Sequence, residues 1–417
     1  MFYFEFLTKG RDMNNKQLLQ NLIKNMLLAI PVGIGIGMIE ALFGNILNAI
    51  LKFRVPYHMF LTPLLPLGGL LITWIYYHYS KLSLKGMTLV FEAGQQKRDT
   101  IPLILIPIVM LSTWITHICG GSAGREGVAV QIGATFSNFV SRKFHLPEKG
   151  HTMLITGMAA GFAGLFQTPL TAVFFAMEVL ISGYMDYEAI LPAFIGAGSA
   201  CLTSHYLGIN KFEMKIDASV NIYDLKTLAI LVLLGIIFGI AGRLFAYTLE
   251  NAKALFAEKI ENPFIRIAAC AVPLAIIMLI TSGRYSGLGS NLVSAAFTNG
   301  TIYPWDWLMK LLLTVLTLGI GFQGGEVTPL FTIGTTLGYI VGGLLGISPV
   351  LTAALGYSAV FGSGTNTIIA PMLIGMEIFG TANMPAFVIV CAIAYAVNGN
   401  TSIYAAQQNA AILKKAM

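Results

Sequence analysis

The chain has 417 residues, of which 56% are hydrophobic and only 11% charged, with a mean hydropathy of +0.75 and a formal net charge of +6. Soluble domains carry about 25% charged residues, so the composition excludes an ordinary soluble protein, and the modest net charge gives no reason to expect a nucleic-acid partner. Apolar tracts recur from residue 25 onwards, and tracts of 18 or more such residues predict membrane-spanning helices. We therefore expect an all-α polytopic membrane protein.

The chain begins with a short segment, residues 1–24, that contains Lys9 and Arg11. Its apolar run is too short for a cleaved signal peptide, and the basic residues follow that run, so we expect the segment to be retained. Basic residues recur near the other end at Lys414 and Lys415. By the positive-inside rule both termini are predicted to face the cytoplasm, and too few residues follow the last apolar tract for a C-terminal regulatory domain.

Two internal matches indicate that the chain is built twice. The stretch GGSAGREG matches GFQGGEV 200 residues later, so that Glu126 corresponds to Glu326. The stretch GMAAGFAGLFQTPLTAVFFAME matches GYSAVFGSGTNTIIAPMLIGME 199 residues later, so that Glu178 corresponds to Glu377. A general likeness among glycine-rich membrane helices explains the shared glycines but not both pairs of glutamates.

The matches divide the chain into a first membrane repeat, residues 25–215, and a second, residues 216–417. Duplicated halves are typical of transporters, whose binding site lies between the repeats near the bilayer midplane. If both termini are cytoplasmic, two inverted halves with an odd number of spans each would fit. Glycine and proline interrupt the apolar tracts at short intervals, so we expect tilted, broken or re-entrant helices.

The stretch GGSAGREG is a candidate site because it places a carboxylate among apolar tracts. A charge at membrane depth costs about 2.5–3.5 kcal/mol even on insertion scales, and such residues typically mark a transport pathway or an ion pair. Gly124 and Gly127 allow close approach to the backbone, and a helix that begins near Glu126 would offer free N–H groups to an anion. The Glu126 carboxylate would compete for this site and would leave it when protonated, which couples anion passage to proton passage.

The second half repeats this arrangement in GGEVTPLF. Glu326 matches Glu126, Thr328 offers a hydroxyl donor, and Pro329 suits the first turn of a helix. Two such helix starts that converge from the two halves would form one anion site with two titratable groups.

Other polar residues are predicted to be structural. Adjacent residues on a helix point about 100° apart, so we expect Arg125 to pair with a carboxylate other than Glu126. Glu178 and Glu377 end apolar helices, where a carboxylate is typically solvated or caps a helix. The histidines and cysteines lack metal-ligand spacing. Ser363, in FGSGTN, supports only a weak alternative, an intramembrane hydrolase, because no base is evident.

Three motifs together resemble the CLC anion channels and transporters: GREG at a glycine-rich helix start, GEVTP in the second half, and NTSIYAAQ near the end. The resemblance covers about residues 25–410. It implies a CLC-type fold with two inverted repeats of tilted and broken helices, and homodimers with a pore in each subunit. It further implies that Glu126 is the gating glutamate and that the hydroxyl of Tyr404 faces the anion near the cytoplasmic entrance.

The departures from the family pattern favour one branch. Chloride-handling members have a serine in GSGIP, where this chain has Met87; Val128 replaces the proline of GREGP, and Glu326 and Val327 replace the Ile and Phe of GIFAP. Methionine for serine together with a second-half glutamate resembles the fluoride-exporting CLC-F proteins, which implies fluoride/proton antiport. The second glutamate of many proton-coupled members is Val179 here, so their internal proton route is not carried over.

The sequence therefore predicts a homodimeric antiporter in the lipid bilayer of a bacterial inner (plasma) membrane that exports fluoride in exchange for protons. It is expected to be no enzyme and to need no cofactor or metal. The predicted gating and proton-coupling residues are Glu126 and Glu326. The predicted anion-binding residues are Met87, Gly124, Arg125, Gly127, Val128, Val327, Thr328 and Tyr404. A chloride/proton exchanger or a passive anion channel of the same fold stays open as the alternative.

Overall fold

The computed structural model describes residues 15–146, 150–216, 218–298 and 300–411. The predicted cytoplasmic placement of both termini rests on Lys9, Arg11, Lys414 and Lys415, which lie outside the described residues.

Helices make up most of the described chain. In the first half they are α1 Asn15–Leu61, α2 Leu65–Tyr79, α3 Met87–Gly94, α4 Leu105–Ile118, α5 Glu126–Lys143, α6 His151–Phe166, α7 Pro169–Glu178 and α8 Ile190–Tyr206. In the second half they are α9 Leu225–Lys259, α10 Pro263–Ile280, α11 Ser290–Phe297, α12 Asp306–Gly319, α13 Val327–Leu345, α14 Pro349–Thr365, α15 Ile369–Phe379 and α16 Met384–Asn398. Short 3₁₀ turns are Thr62–Leu64, Lys81–Lys85 and Tyr187–Ala189, and two-residue strands β1 Ile181–Ser182 and β2 Gln408–Asn409 pair in parallel.

The helices differ widely in length, as the sequence predicts. Four apolar stretches of the described chain are long enough to cross a membrane: Leu19–Tyr79, Leu225–Lys259, Pro263–Ile280 and Val327–Leu345. Helix α7 has only ten residues and spans about 15 Å, about half of the hydrocarbon core. Short helices of this kind stay buried because longer neighbours cover them. The prediction of broken and incomplete spans is confirmed.

The two halves repeat the same helix packing. Helix α5 packs on α6 through Gly133, and a Cβ there would collide with the carbonyl of Gly157. Helix α13 packs on α14 through Gly334, and a Cβ there would collide with the carbonyl of Gly356. Close backbone approach at small residues is a usual way for membrane helices to associate. The predicted boundary between the repeats, at residues 215/216, falls between α8 and α9 and stays a prediction.

Aromatic side chains join the halves behind the predicted site. Phe175 of α7 lies 5.7 Å, between ring centroids, from Phe361 of α14, and Phe166 of α6 lies 5.4 Å from Phe331 of α13. All four rings belong to one large cluster of buried hydrophobic residues. Tilted aromatic pairs at these distances add to the burial of apolar surface, so the cluster fixes the starts of α5 and α13 relative to each other.

Two glutamates cap helices of the opposite half. The carboxylate of Glu377, near the end of α15, accepts from the backbone N–H groups of Leu170 and Thr171, at 3.0 and 2.8 Å. The carboxylate of Glu178, at the end of α7, accepts from three N–H groups at residues 368–370, at 2.8 to 3.1 Å. Each carboxylate satisfies N–H groups that a helix start leaves unpaired. The expected capping role is confirmed, with the partner in the other half.

Candidate anion site

The starts of α5 and α13 are in direct backbone contact. The N–H of Gly124 donates to the carbonyl of Gly325 at 2.6 Å, and the N–H of Gly325 donates back at 2.8 Å. A Cβ on Gly325 would lie 2.9 Å from the nitrogen of Gly127 and 3.1 Å from that of Arg125, so only glycine fits. The predicted convergence of two helix starts from the two halves is confirmed.

The carboxylate of Glu126 lies between these two helix starts. Glu126 is the first residue of α5, with 1% of its surface exposed. Its Oε2 accepts from the backbone N–H of Thr328 at 3.0 Å, from the Thr328 hydroxyl, and from the N–H of Arg125 at 3.3 Å. The carboxylate therefore occupies the N-terminus of α13, which belongs to the opposite half, and so fills a place that suits an anion.

Arg125 departs from the prediction. Its Nε lies 3.8 Å from Oε1 of Glu126, and its Nη1 donates to Oδ1 of Asn48 at 3.0 Å. The departure is partial. Arg125 lies beside Glu126 because it precedes the helix, with a non-helical φ of −134° and ψ of −22°. The 100° rule for helix neighbours does not apply at such a cap. Arg125 also interacts electrostatically with the buried carboxyl group of Glu40 on α1, which is a carboxylate elsewhere in the chain.

Glu326 occupies the matching place on α13 but points elsewhere. It is the residue before the first turn of α13 and is partly buried. Its Oε1 lies 3.4 Å from Nζ of Lys253 on α9. Lys253 is half exposed, so this pair is weak. The two glutamates thus mark two neighbouring helix starts, and only Glu126 accepts hydrogen bonds from the N-terminus of α13.

A cavity of about 460 Å³ approaches these helix starts. Its polar and titratable lining includes Gln131, Lys253, Arg266, Glu326 and Tyr404, and Met87 lines it as well. Glu126 is not part of this lining, so the gating candidate lies behind the cavity rather than in it.

Tyr404 presents a free hydroxyl to this region. Its ring packs on Phe91, with 5.1 Å between centroids, and 5% of its surface is exposed. Within the described chain the hydroxyl oxygen has no hydrogen-bond partner. Both Glu126 and Glu326 act electrostatically on it. A phenol O–H held in place but unpaired is suited to donate to an anion.

Several predicted anion-binding residues do not offer a free N–H group in this structure. The N–H of Gly124 is bonded to Gly325, and that of Val128 donates to the carbonyl of Arg125 at 3.1 Å. The side chains of Val128 and Val327 are fully buried in the hydrophobic core. The donors that contact the Glu126 carboxylate are those of Thr328 and Arg125.

Ser363 is engaged in packing. Its hydroxyl donates to the carbonyl of Gly239 at 2.7 Å, which is a common role for a serine in a buried helix. Within the described ranges, no group of three His, Cys, Asp or Glu side chains is placed to hold a metal.

The sequence reasoning missed several buried charged residues, including three that are discussed further. Glu40 and Arg54 on α1 and Lys310 on α12 have 0%, 6% and 0% of their surface exposed. Both Glu40 oxygens lack a hydrogen-bond partner among the described residues. The sequence signal that could have identified them is an ionisable residue inside an apolar tract, because such a residue typically has a functional role or a polar partner.

The chain is similar to known proteins over most of its length. The family model for the voltage gated chloride channel matches residues 68–399. A Pseudomonas syringae pv. tomato protein named "Chloride/fluoride channel protein" is 33% identical over 410 residues, which cover 96% of this chain and 90% of that protein. A Yersinia pestis protein named "H(+)/Cl(-) exchange transporter ClcA" is 27% identical over 248 residues, 57% of this chain and 52% of that protein. A solved structure of a CLC-type fluoride/proton antiporter is 46% identical, with a TM-score of 0.92, over 93% of this chain and 98% of that one.

Proposed function

The chain belongs to the voltage-gated chloride channel (CLC) family, and from this premise we propose that it is an antiporter that exports fluoride from the cytoplasm in exchange for protons. As a member of this family it is a multi-pass membrane protein of the CLC fold that transports anions and is not an enzyme. The proposal adds the choice of fluoride, the proton coupling through named glutamates, the homodimer, and an inner-membrane location with both termini in the cytoplasm.

The observation that carries the proposal is the contact between Glu126 and Thr328. An ionised carboxylate that accepts from a helix-start N–H and a hydroxyl stands where a small anion would bind. Protonation removes its charge, weakens its attraction to the start of α13, and frees the donors for fluoride. When the carboxyl loses its proton it returns and displaces the ion. Anion and proton therefore alternate at one place, which is the requirement for exchange.

The route from the cavity is proposed to use Met87, Glu326 and Tyr404, all of which line it. Glu326 serves as a second carboxylate that takes up protons beside the anion path. The Tyr404 hydroxyl donates to the passing anion, since it has no partner among the described residues. The Met87 thioether offers no O–H donor, which disfavours a chloride site of the hydroxyl-lined kind.

The second candidate is chloride/proton exchange by the same mechanism. It is favoured by the similarity to the Yersinia pestis protein, which is named as an H(+)/Cl(-) exchange transporter. The Glu126–Thr328 contact serves either anion, so the choice between them depends on measured selectivity.

The variant Thr328→Val tests the contact between Glu126 and Thr328. Valine keeps the shape but removes the hydroxyl that contacts Glu126, while the backbone N–H stays. A hydrogen bond to a charged group contributes about 1.5–3 kcal/mol, so we expect fluoride exchange at low fluoride concentration to fall about tenfold or more in proteoliposomes.

Thr336→Val is the matched control for this variant. Thr336 is also buried on α13, and its hydroxyl donates to the carbonyl of Thr332 in its own helix at 2.8 Å. The fluoride exchange rate of the Thr336→Val variant is expected to equal that of the wild type. Equal rates for Thr328→Val and Thr336→Val would remove the support for this site.

A further inference from the structure

Arg54 is a buried cation without a counter-ion in the described chain. It lies near the C-terminal end of α1 with 6% of its surface exposed, and it forms no salt bridge with any described residue. Its Nε and Nη2 are buried and have no hydrogen-bond partner there. A buried guanidinium is favourable only when acceptors or an anion satisfy it, so these donors require an acceptor other than the described side chains.

The free donors of Arg54 converge with a third donor beside Gly120. A Cβ on Gly120 would lie 3.0 Å from Nη2 and 3.1 Å from Nε of Arg54, and 3.1 Å from Oγ1 of Thr62. Thr62 is fully buried, and its hydroxyl also lacks a partner within the described ranges. Gly120 has a φ of +89° and brings no side chain into this space. Three donors without partners among the described residues therefore converge on the place where Gly120 has no side chain, which is hereafter called the gap.

A second buried cation lies close by. Lys310 is fully buried and interacts electrostatically with Arg54. Its ammonium donates to Oγ of Ser122 at 2.9 Å and to the carbonyl of Gly287 at 2.7 Å. Asp306, one turn earlier on α12, cannot compensate these charges because it is bonded to Arg284 at 2.5 Å. Among the described residues, neither Arg54 nor Lys310 forms a salt bridge with a carboxylate.

We propose that Arg54 and Thr62 bind one small monovalent anion beside Gly120. The Nε and Nη2 edge of a guanidinium is its two-pronged donor face, and the Thr62 hydroxyl supplies the third donor. The donors to the Glu126 carboxylate are Thr328 and Arg125, neither of which belongs to this site. The cavity that contains Met87 and Tyr404 is not lined by Arg54, Thr62 or Gly120 either. The anion ties the end of α1 to the loop that leads into Glu126. The inference does not rest on the transport function.

Anion counting at equilibrium tests the proposal. Sodium fluoride and, in parallel, sodium chloride are titrated into the purified full chain by isothermal titration calorimetry. The wild type is expected to bind one more anion per chain than Arg54→Met. Thr62→Val keeps the shape and removes one donor, so we expect its affinity at this site to be about tenfold lower. Glu126→Gln is expected to keep this anion, so a failure of the transport proposal and a failure of this one are separately visible.

Thr113→Val is the control, because Thr113 is also fully buried and its hydroxyl donates to the carbonyl of Val109 in its own helix at 2.7 Å. It is expected to titrate like the wild type. If Arg54→Met does not fold, the comparison of Thr62→Val with Thr113→Val decides the question. Identical stoichiometry and affinity in these two variants would mean that water fills the gap, and the proposal would be overturned.

Discussion

Glu126→Gln is expected to abolish the proposed coupling between fluoride and proton movement. Glutamine keeps the size of the side chain and can still bond to Thr328, but it carries no charge that repels an anion and takes up no proton. A positioned acid or base typically contributes about 10²–10⁴ to a rate. We therefore expect the proton flux that accompanies fluoride to fall at least about a hundredfold, measured with a pH-sensitive dye in proteoliposomes.

Glu258→Gln is the control for this charge removal. Glu258 is also on a helix, α9, but about three-quarters of its side chain is exposed, and its nearest cation, Lys259, is as exposed. The proton flux through the Glu258→Gln variant is expected to match that of the wild type. Undiminished proton-driven fluoride transport in Glu126→Gln would contradict the proposed gate.

Glu178→Ala is expected to cause the largest loss of stability. The substitution removes the acceptor for three N–H groups at residues 368–370, at the buried start of α15. Hydrogen bonds to a carboxylate contribute about 1.5–3 kcal/mol each, and unsatisfied buried donors add a penalty. Allowing for partial relaxation, we expect a loss of about 3–5 kcal/mol. The apparent melting temperature in detergent should fall by about 5 °C or more.

The pseudo-symmetric variant Glu377→Ala should lower the melting temperature in the same way, because its carboxylate caps the start of α7. Glu258→Ala, at an exposed position, should leave it within about 1 °C. If Glu178→Ala melted like Glu258→Ala, the reciprocal caps would not hold the two halves together.

Local rules were enough to predict where the site helices begin. Glu126 is the first residue of α5, and Pro329 lies in the first turn of α13. Both follow from glycine before a helix start and from residues suited to a first turn. The internal matches also identified corresponding glutamates, because repeats keep the residues that define their packing. Helix-start residues and internal matches can both be read from the sequence without knowledge of the tertiary packing.

Contacts between the halves could not be read in the same way. The partner of Glu126 is Thr328, 202 residues away, and the partner of Glu178 lies 190 residues away or more. The repeat offset shows which residues correspond, whereas tertiary packing decides which residues touch. The contact between Arg125 and Glu126 was not predicted because the prediction used the geometry of a regular helix. Arg125 lies at the cap before α5, where that geometry does not apply.

The missed charges show a different limit. Arg54, two residues after Lys52, and Lys310, four residues after Asp306, both lie in otherwise apolar stretches. A single charge on such a tract can face lipid headgroups, a pore or the protein interior, and sequence spacing does not distinguish these environments. Only the packed structure shows that both are buried beside the loop that leads into Glu126.

Paired measurement of anion release and proton uptake tests the central claim most directly. Proteoliposomes of the wild type are loaded with sodium fluoride or sodium chloride and diluted into halide-free buffer at equal pH, and released halide and internal pH are followed together. The account predicts fluoride release accompanied by proton entry, about tenfold or more faster than chloride release. Chloride release as fast as fluoride release, or fluoride release without proton entry, would contradict it.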